Sequence, residues 1–123
     1  MAYKKKLTPS LNCGLDLIAE VIYGKWKIRL LYFINKGHKR PGELQRKIPD
    51  ASRRVLNMQL NELEIHELIT KKIFAQLPPK VEYSLTGLGE SLIPIITTLG
   101  KWGDEHQYRL RDIIMKANAE GNL

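Results

Sequence analysis

A mainly helical domain with one β-hairpin near its C-terminal side is predicted from three observations. Apolar residues recur at helical spacing through most of the chain, a single pair of short alternating runs flanks "QLPPK", and 43% of the 123 residues are apolar. That length suits one domain with a modest core, and that apolar share argues for a folded chain rather than a disordered one. Lysine and arginine outnumber aspartate and glutamate by 20 to 13, a formal charge of +7. The surplus favours a polyanionic partner such as nucleic acid, or an anionic membrane surface.

Residues 1–10, "MAYKKKLTPS", read as a flexible basic arm, because Lys4, Lys5 and Lys6 repel one another and Pro9 discourages a helix. The cluster has no apolar stretch behind it, so a secretory signal is not expected. From about Leu11 a first helix places Leu15, Ile18 and Ile22 on one face until Gly24 interrupts it. A second helix repeats Trp26, Leu30, Leu31, Phe33 and Ile34, and "NKG" at residues 35–37 stops it. Pro41 suits the first turn of a short third helix, "PGELQRKI", bounded by Pro49. Ser52 is a good N-cap for a fourth helix, in which Leu56, Leu60 and Leu63 fall within about 60° of one another as a core stripe. "ITKKIFA" and "VEYSLT" then alternate as the strands of the hairpin. From Thr86 a long helix carries Leu88, Leu92, Ile95, Ile96, Leu99 and Trp102, with a possible kink at Pro94, and a further amphipathic piece follows Gly103. The domain is expected over residues 11–118, with a tail at 119–123.

Two helices joined by a short turn and followed by a hairpin is the layout of a winged helix-turn-helix. In that layout the fourth helix would enter the DNA major groove. Arg54, Asn57 and Asn61 project opposite Leu56, and Arg53 lies at the margin near the first turn. Arginine can pair bidentately with guanine and asparagine with adenine, and the helix N-terminus at Ser52 suits a phosphate. Acids are deferred to Glu62 and Glu64 at the far end. Lys71, Lys72 and Lys80 surround the hairpin and suit phosphate contacts that add affinity without sequence information. Each feature has a plainer alternative: a solvated polar helix face, and edge-strand lysines that block pairing with other sheets.

Six segments together resemble the HxlR-type family of bacterial winged helix-turn-helix transcriptional regulators, relatives of the MarR group. They are Cys13 near the first helix, "GKWKIRLL" at 24–31, "GEL" at 42–44, "SRRVLNMQLNELE" at 52–64, "LPPKVEYSLTGLGESL" at 77–92, and "WG" at 102–103. The resemblance implies a homodimer on double-stranded DNA at an inverted-repeat operator, with dimer contacts from the first and last helices. Those contacts would draw on Leu15, Ile18, Leu92, Ile96, Leu99 and Trp102. It places the recognition helix on residues 52–67 and the wing tip on residues 76–80. The chain departs from the family at Pro41 and Gly42, where an aromatic is common, and at Glu67, where a glycine usually closes the recognition helix.

Some members of that family sense oxidants or electrophiles through a cysteine at the position of Cys13. The resemblance thus raises Cys13 as a redox sensor answering an oxidant or small-molecule effector, beside the alternative of a small apolar side chain packing at the dimer contact. One cysteine suits a reducing cytoplasm and allows a disulfide only between subunits or with a small thiol. No catalytic residue, metal or cofactor is expected: His38, His66 and His106 have no metal-ligand spacing among themselves or with Cys13, and no phosphate loop or nucleophile elbow is present. The rival from another class is a winged-helix protein–protein interaction module without DNA specificity. A basic peripheral membrane protein is disfavoured, since no apolar run approaches the length of a span and no basic amphipathic helix exposes aromatics.

Overall fold

The computed structural model describes residues 11–121. The expected basic arm lies outside the described residues, as do the last two residues of the tail. The described chain divides into two units, one running through Glu90 and one from Ser91 onward. The first holds α1 (Gly14–Ile22), α2 (Lys27–Asn35), α3 (Pro41–Lys47), α4 (Arg53–Ile65), β1 (Ile69–Phe74) and β2 (Lys80–Leu85). Helix α5 (Gly87–Glu105) begins in it and continues in the second unit, where α6 (Gln107–Ala119) follows.

Local chemistry accounts for the helix boundaries. Helix α2 ends where expected, with the amide of Gly37 donating to the Ile34 carbonyl and that of His38 to the Phe33 carbonyl, both at 3.0 Å. Gly37 takes φ 102°, a left-handed conformation that closes the helix without a Cβ clash. Pro41 opens α3, and the Glu43 carboxylate accepts from the amides of Lys39 and Arg40 at 3.1 Å each. These bonds, chiefly the one from Arg40, lower the Glu43 carboxyl below the usual carboxylate range. Between α3 and α4 the Gln45 side-chain amide donates to the Ala51 carbonyl at 2.6 Å. The Ser52 hydroxyl accepts from the Val55 amide at 3.1 Å, the N-cap expected for α4.

The core of the first unit comprises Leu30, Leu31 and Ile34 of α2, Leu44 and Ile48 of the α3 region, Leu56, Leu60 and Leu63 of α4, and Leu68, Ile69 and Tyr83 around the hairpin. The stripe expected on α4 is therefore present. On α2 the expected Leu30, Leu31 and Ile34 are buried, and Phe33 is half-buried. Trp26 is half-buried, whereas Lys27 is buried, only 2% exposed, with its Nζ 2.7 Å from a Glu62 carboxylate oxygen. The apolar stem of lysine lies in the core while its ammonium reaches the rim, where Glu62 meets it.

Strands β1 and β2 pair antiparallel from Ile69↔Leu85 to Phe74↔Lys80, with residues 75–79 at the tip. The Tyr83 amide also donates to the Lys39 carbonyl at 2.8 Å, tying β2 to the turn before α3. Taken alone, the second unit has Pro94 inside α5 and a break between α5 and α6 at His106 rather than at Gly103, which lies within α5. No helix among the described residues is long and apolar enough to cross a membrane.

Candidate nucleic-acid interface

Core packing of Leu56, Leu60 and Leu63 turns the opposite face of α4 outward, where Arg53, Arg54, Asn57 and Asn61 are all exposed. Pairing in the hairpin decides which wing residues join them. Register and the two-residue period put Lys71, Ile73, Val81 and Tyr83 on one face, and Lys72, Phe74, Lys80 and Glu82 on the other. The first face closes against α4 and forms an open groove of about 480 Å³. Arg53, Arg54, Asn57, Asn61 and Lys71 line it, above Met58, Val81, Tyr83 and Pro41.

Three cations and two side-chain amides thus converge, and among the described residues no carboxylate lines the groove. A concave wall carrying net positive charge draws in an anion, and the amides offer both donors and acceptors to base edges. Tyr83 supplies a neutral hydroxyl: burial first, and then the charge of Glu64, raise its phenol above the ordinary range against the opposing pull of Arg53.

A second hollow of about 310 Å³ shares Pro41, Arg53 and Val81 with the first and runs to the wing tip. It is lined in addition by Arg40, Gln76, Pro78, Pro79 and Lys80. Here the cations are partly neutralised, since Glu82 lies 3.6 Å from Arg40 Nε and 3.8 Å from Lys80 Nζ. The ammonium groups of Lys80 and Lys72 sit 4.2 and 4.9 Å from the centre of the Phe74 ring. Lys72 lines neither hollow. The three wing lysines therefore do not form one cluster: Lys71 faces the α4 groove, while Lys72 and Lys80 share the reverse face around Phe74, and Lys80 also lines the tip hollow.

Ser52 spends its hydroxyl oxygen on the Val55 amide at the start of α4, and is itself exposed. Sequence reasoning did not single out Arg40, Met58 or Tyr83, and named Gln76 only as the start of the wing tip. For Tyr83 a signal was present, because the strand period that places Lys71 on one face places its register partner there too.

Cys13 is exposed at the N-cap of α1. Its thiol pKa is lowered from the ordinary value, mainly by the nearby backbone amide of Asp16 and then by that of Leu15 at the start of α1. Among the residues proposed for a dimer contact, Leu15 is 77% exposed, and Leu99 and Trp102 are also exposed. Ile18 and Leu92 are half-buried, and Ile96 is buried.

Comparison with known proteins adds three relatives and a family. The family model described as HxlR-like helix-turn-helix matches residues 21–111. The HTH-type transcriptional regulator YkvN of Bacillus subtilis (strain 168) is 50% identical over 92 residues, covering 75% of this chain and 78% of its own. The HTH-type transcriptional regulator YybR of the same organism is 37% identical over 122 residues, covering 98% and 94%. Among solved structures, the redox regulator HypR in its oxidized form superposes with a TM-score of 0.71 at 41% identity, covering 76% of this chain and 96% of its own.

Proposed function

The chain belongs to the HxlR-like helix-turn-helix family, and from that premise we propose that it is a DNA-binding transcriptional regulator that reads its site through the groove between α4 and the wing. The observation that carries this is the convergence of Arg53, Arg54, Asn57 and Asn61 with Lys71 around one groove that no carboxylate of the described residues lines. In this reading Asn57 and Asn61 address base edges, and Arg53 and Arg54 address bases or phosphates. Lys71 holds the backbone from the wing side, with Lys80 and Arg40 reaching phosphate nearer the tip. The regulator acts as a homodimer on an inverted repeat, with half-sites about 34 Å apart. Support for the dimer comes from the apolar side chains left in water: Leu15 and Leu17 on α1, Leu99 and Trp102 on α5, and Ile113 and Ile114 on α6. A reducing cytoplasm is the compartment in which it would work.

The test is Asn57→Ala in a fluorescence-anisotropy titration against the selected operator and a scrambled duplex at two salt concentrations. Loss of about 1–3 kcal/mol on the operator, with scrambled binding unchanged, is the expected result. Equal loss on both duplexes refutes base reading by Asn57. Wild-type binding that ignores salt favours the protein-interaction module instead.

A second reading concerns Cys13. Its exposure and lowered thiol pKa support an oxidant-sensing role, and HypR, a structural relative, is a redox regulator. If diamide releases the wild type from operator DNA and leaves Cys13→Ser bound, Cys13 is the sensor. Equal release of both rules it out.

A further inference from the structure

Helix α2 presents a second basic surface, separate from the groove. Its buried residues, Lys27, Leu30, Leu31 and Ile34, face the core. Counting about 100° per residue, Arg29, Tyr32 and Lys36 fall within about 60° of one another on the opposite side. Lys25, in the turn leading into the helix, extends the row, for its Nζ lies 5.1 Å from the centre of the Trp26 ring while the Arg29 guanidinium lies 5.7 Å from the same ring. Lys36 lies over Tyr32 at 5.4 Å. Among the described residues none of these three cations has a carboxylate partner; Arg29 donates only to the Lys47 carbonyl, at 3.2 Å.

This row points away from the groove. Helix α2 meets α4 on the side of Gln59, whose side-chain oxygen accepts from the Trp26 amide at 2.9 Å, and of Glu62, which holds Lys27. On the α4 wheel that side lies roughly 140° from Arg54, Asn57 and Asn61. A duplex seated in the groove therefore leaves the α2 row in solvent.

We propose that the outer face of α2, built from Lys25, Arg29, Tyr32 and Lys36, docks an acidic segment of another protein while the groove is free to hold DNA. Charge complementarity selects an acidic partner, and the aromatic rings select protein over a second duplex. Tyr32 is 37% exposed between Arg29 and Lys36. An acidic helix with apolar residues between its carboxylates meets both charges and ring, whereas a sugar–phosphate backbone offers the ring only the C–H groups of its sugars. The rise from Arg29 to Lys36, about 10 Å, equals that between carboxylates seven residues apart on a partner helix. Cations already seated on aromatic rings lose less freedom when a partner arrives, which favours specific docking over diffuse attraction.

The test uses the full chain and a fluorescein-labelled helical peptide with glutamates at positions i, i+4, i+7 and i+11 and leucines between them. A glutamine version of the peptide is the control. Two charge-matched variants are compared: Lys25→Gln/Arg29→Gln/Lys36→Gln on the row, and Arg53→Gln/Arg54→Gln/Lys71→Gln in the groove. The wild type should bind the glutamate peptide with or without saturating DNA. The row variant should bind it roughly tenfold more weakly or worse while keeping DNA affinity within about twofold, which also reports its folding. The groove variant should bind the peptide as the wild type does. No peptide binding by the wild type overturns the proposal, as does equal loss in both variants. Loss of DNA binding by the folded row variant, with folding checked by circular dichroism, also overturns it by making the row a DNA contact. A wild type that binds the peptide but no DNA would count against the regulator reading alone.

Discussion

The ion pair between Lys27 and Glu62 should respond unequally to removal of its two members. Lys27 is 2% exposed and Glu62 42% exposed, at a separation of 2.7 Å. Glu62→Ala leaves a buried ammonium with no counter-charge. Stranding one member of a fully buried pair costs about 3–5 kcal/mol, and the half-open position of Glu62 reduces that to roughly 2 kcal/mol. Lys27→Met keeps the apolar stem and removes the charge that needed compensation. Glu62, already near water, rehydrates, so the change should lie within about 1 kcal/mol of neutral. The double variant should sit close to Lys27→Met, giving a coupling energy of about 1–2 kcal/mol.

Urea unfolding followed by far-UV circular dichroism at fixed protein concentration measures all four proteins. In thermal melts the single variants should separate by about 5–10 °C at this chain length. If Lys27→Met costs as much as Glu62→Ala, the reasoning fails, for the pair would then stabilise by attraction rather than by relieving a buried charge.

Three further outcomes follow from local geometry. Glu67 holds φ 60°, a conformation costing a side-chain-bearing residue about 1–2 kcal/mol. Glu67→Gly should therefore stabilise by about 0.5–1 kcal/mol after the extra freedom of glycine in the unfolded chain. Glu67→Ala should bring no such gain, and equal gains in urea melts would point to charge instead. Gly89→Ala should destabilise by about 2–3 kcal/mol, because its Cβ would collide with the Leu68 carbonyl oxygen; a loss below about 0.5 kcal/mol by the same measurement would refute the clash. Alkylation of Cys13 by iodoacetamide should reach half its maximal rate at lower pH in the folded protein than in urea, since the backbone amides at the start of α1 lower the folded thiol pKa. By the same sign, the stability it contributes is present above the unfolded thiol value and lost as pH falls through the folded one; coincident midpoints would refute it.

The order of elements was legible because each boundary rests on nearby residues. "NKG" closes α2, Pro41 opens α3, Ser52 caps α4, and alternation on both sides of "QLPPK" makes the hairpin. The polar face of α4 was legible for the same reason, since a helix of known phase needs only Leu56, Leu60 and Leu63 to orient it. The grouping of the wing lysines was not. Lys71 and Lys72 are adjacent in sequence yet lie on opposite faces of a strand, so which one meets α4 depends on how the hairpin packs. Lys27 was missed because hydropathy marks lysine as exposed, while the carboxylate that lets it sink lies 35 positions further on. Arg40 and Gln76 join one hollow only through tertiary contact.

Glu67 shows how a departure from the family pattern can be absorbed by its surroundings. Where the resemblance led one to expect a glycine, the chain keeps the glycine conformation and supplies the bonds that enforce it. The Glu67 amide donates to the Glu64 carbonyl at 2.9 Å and the Leu68 amide to the Leu63 carbonyl at 3.0 Å, while Leu63 and Leu68 are both buried. Thr86 then secures the far side: its amide donates to the Leu68 carbonyl at 3.1 Å, and its hydroxyl donates to the Glu67 carbonyl at 2.7 Å. That hydroxyl oxygen also accepts from the Gly89 amide at 3.0 Å, in the first turn of α5. The end of α4, the start of β1, the end of β2 and the start of α5 therefore meet at one threonine. Because β1 leaves α4 through this junction, its bonds help set the direction of the wing relative to Asn57 and Asn61. None of these bonds draws on Arg53, Arg54, Asn57, Asn61 or Lys71, and the strain at Glu67 is the local cost of the junction.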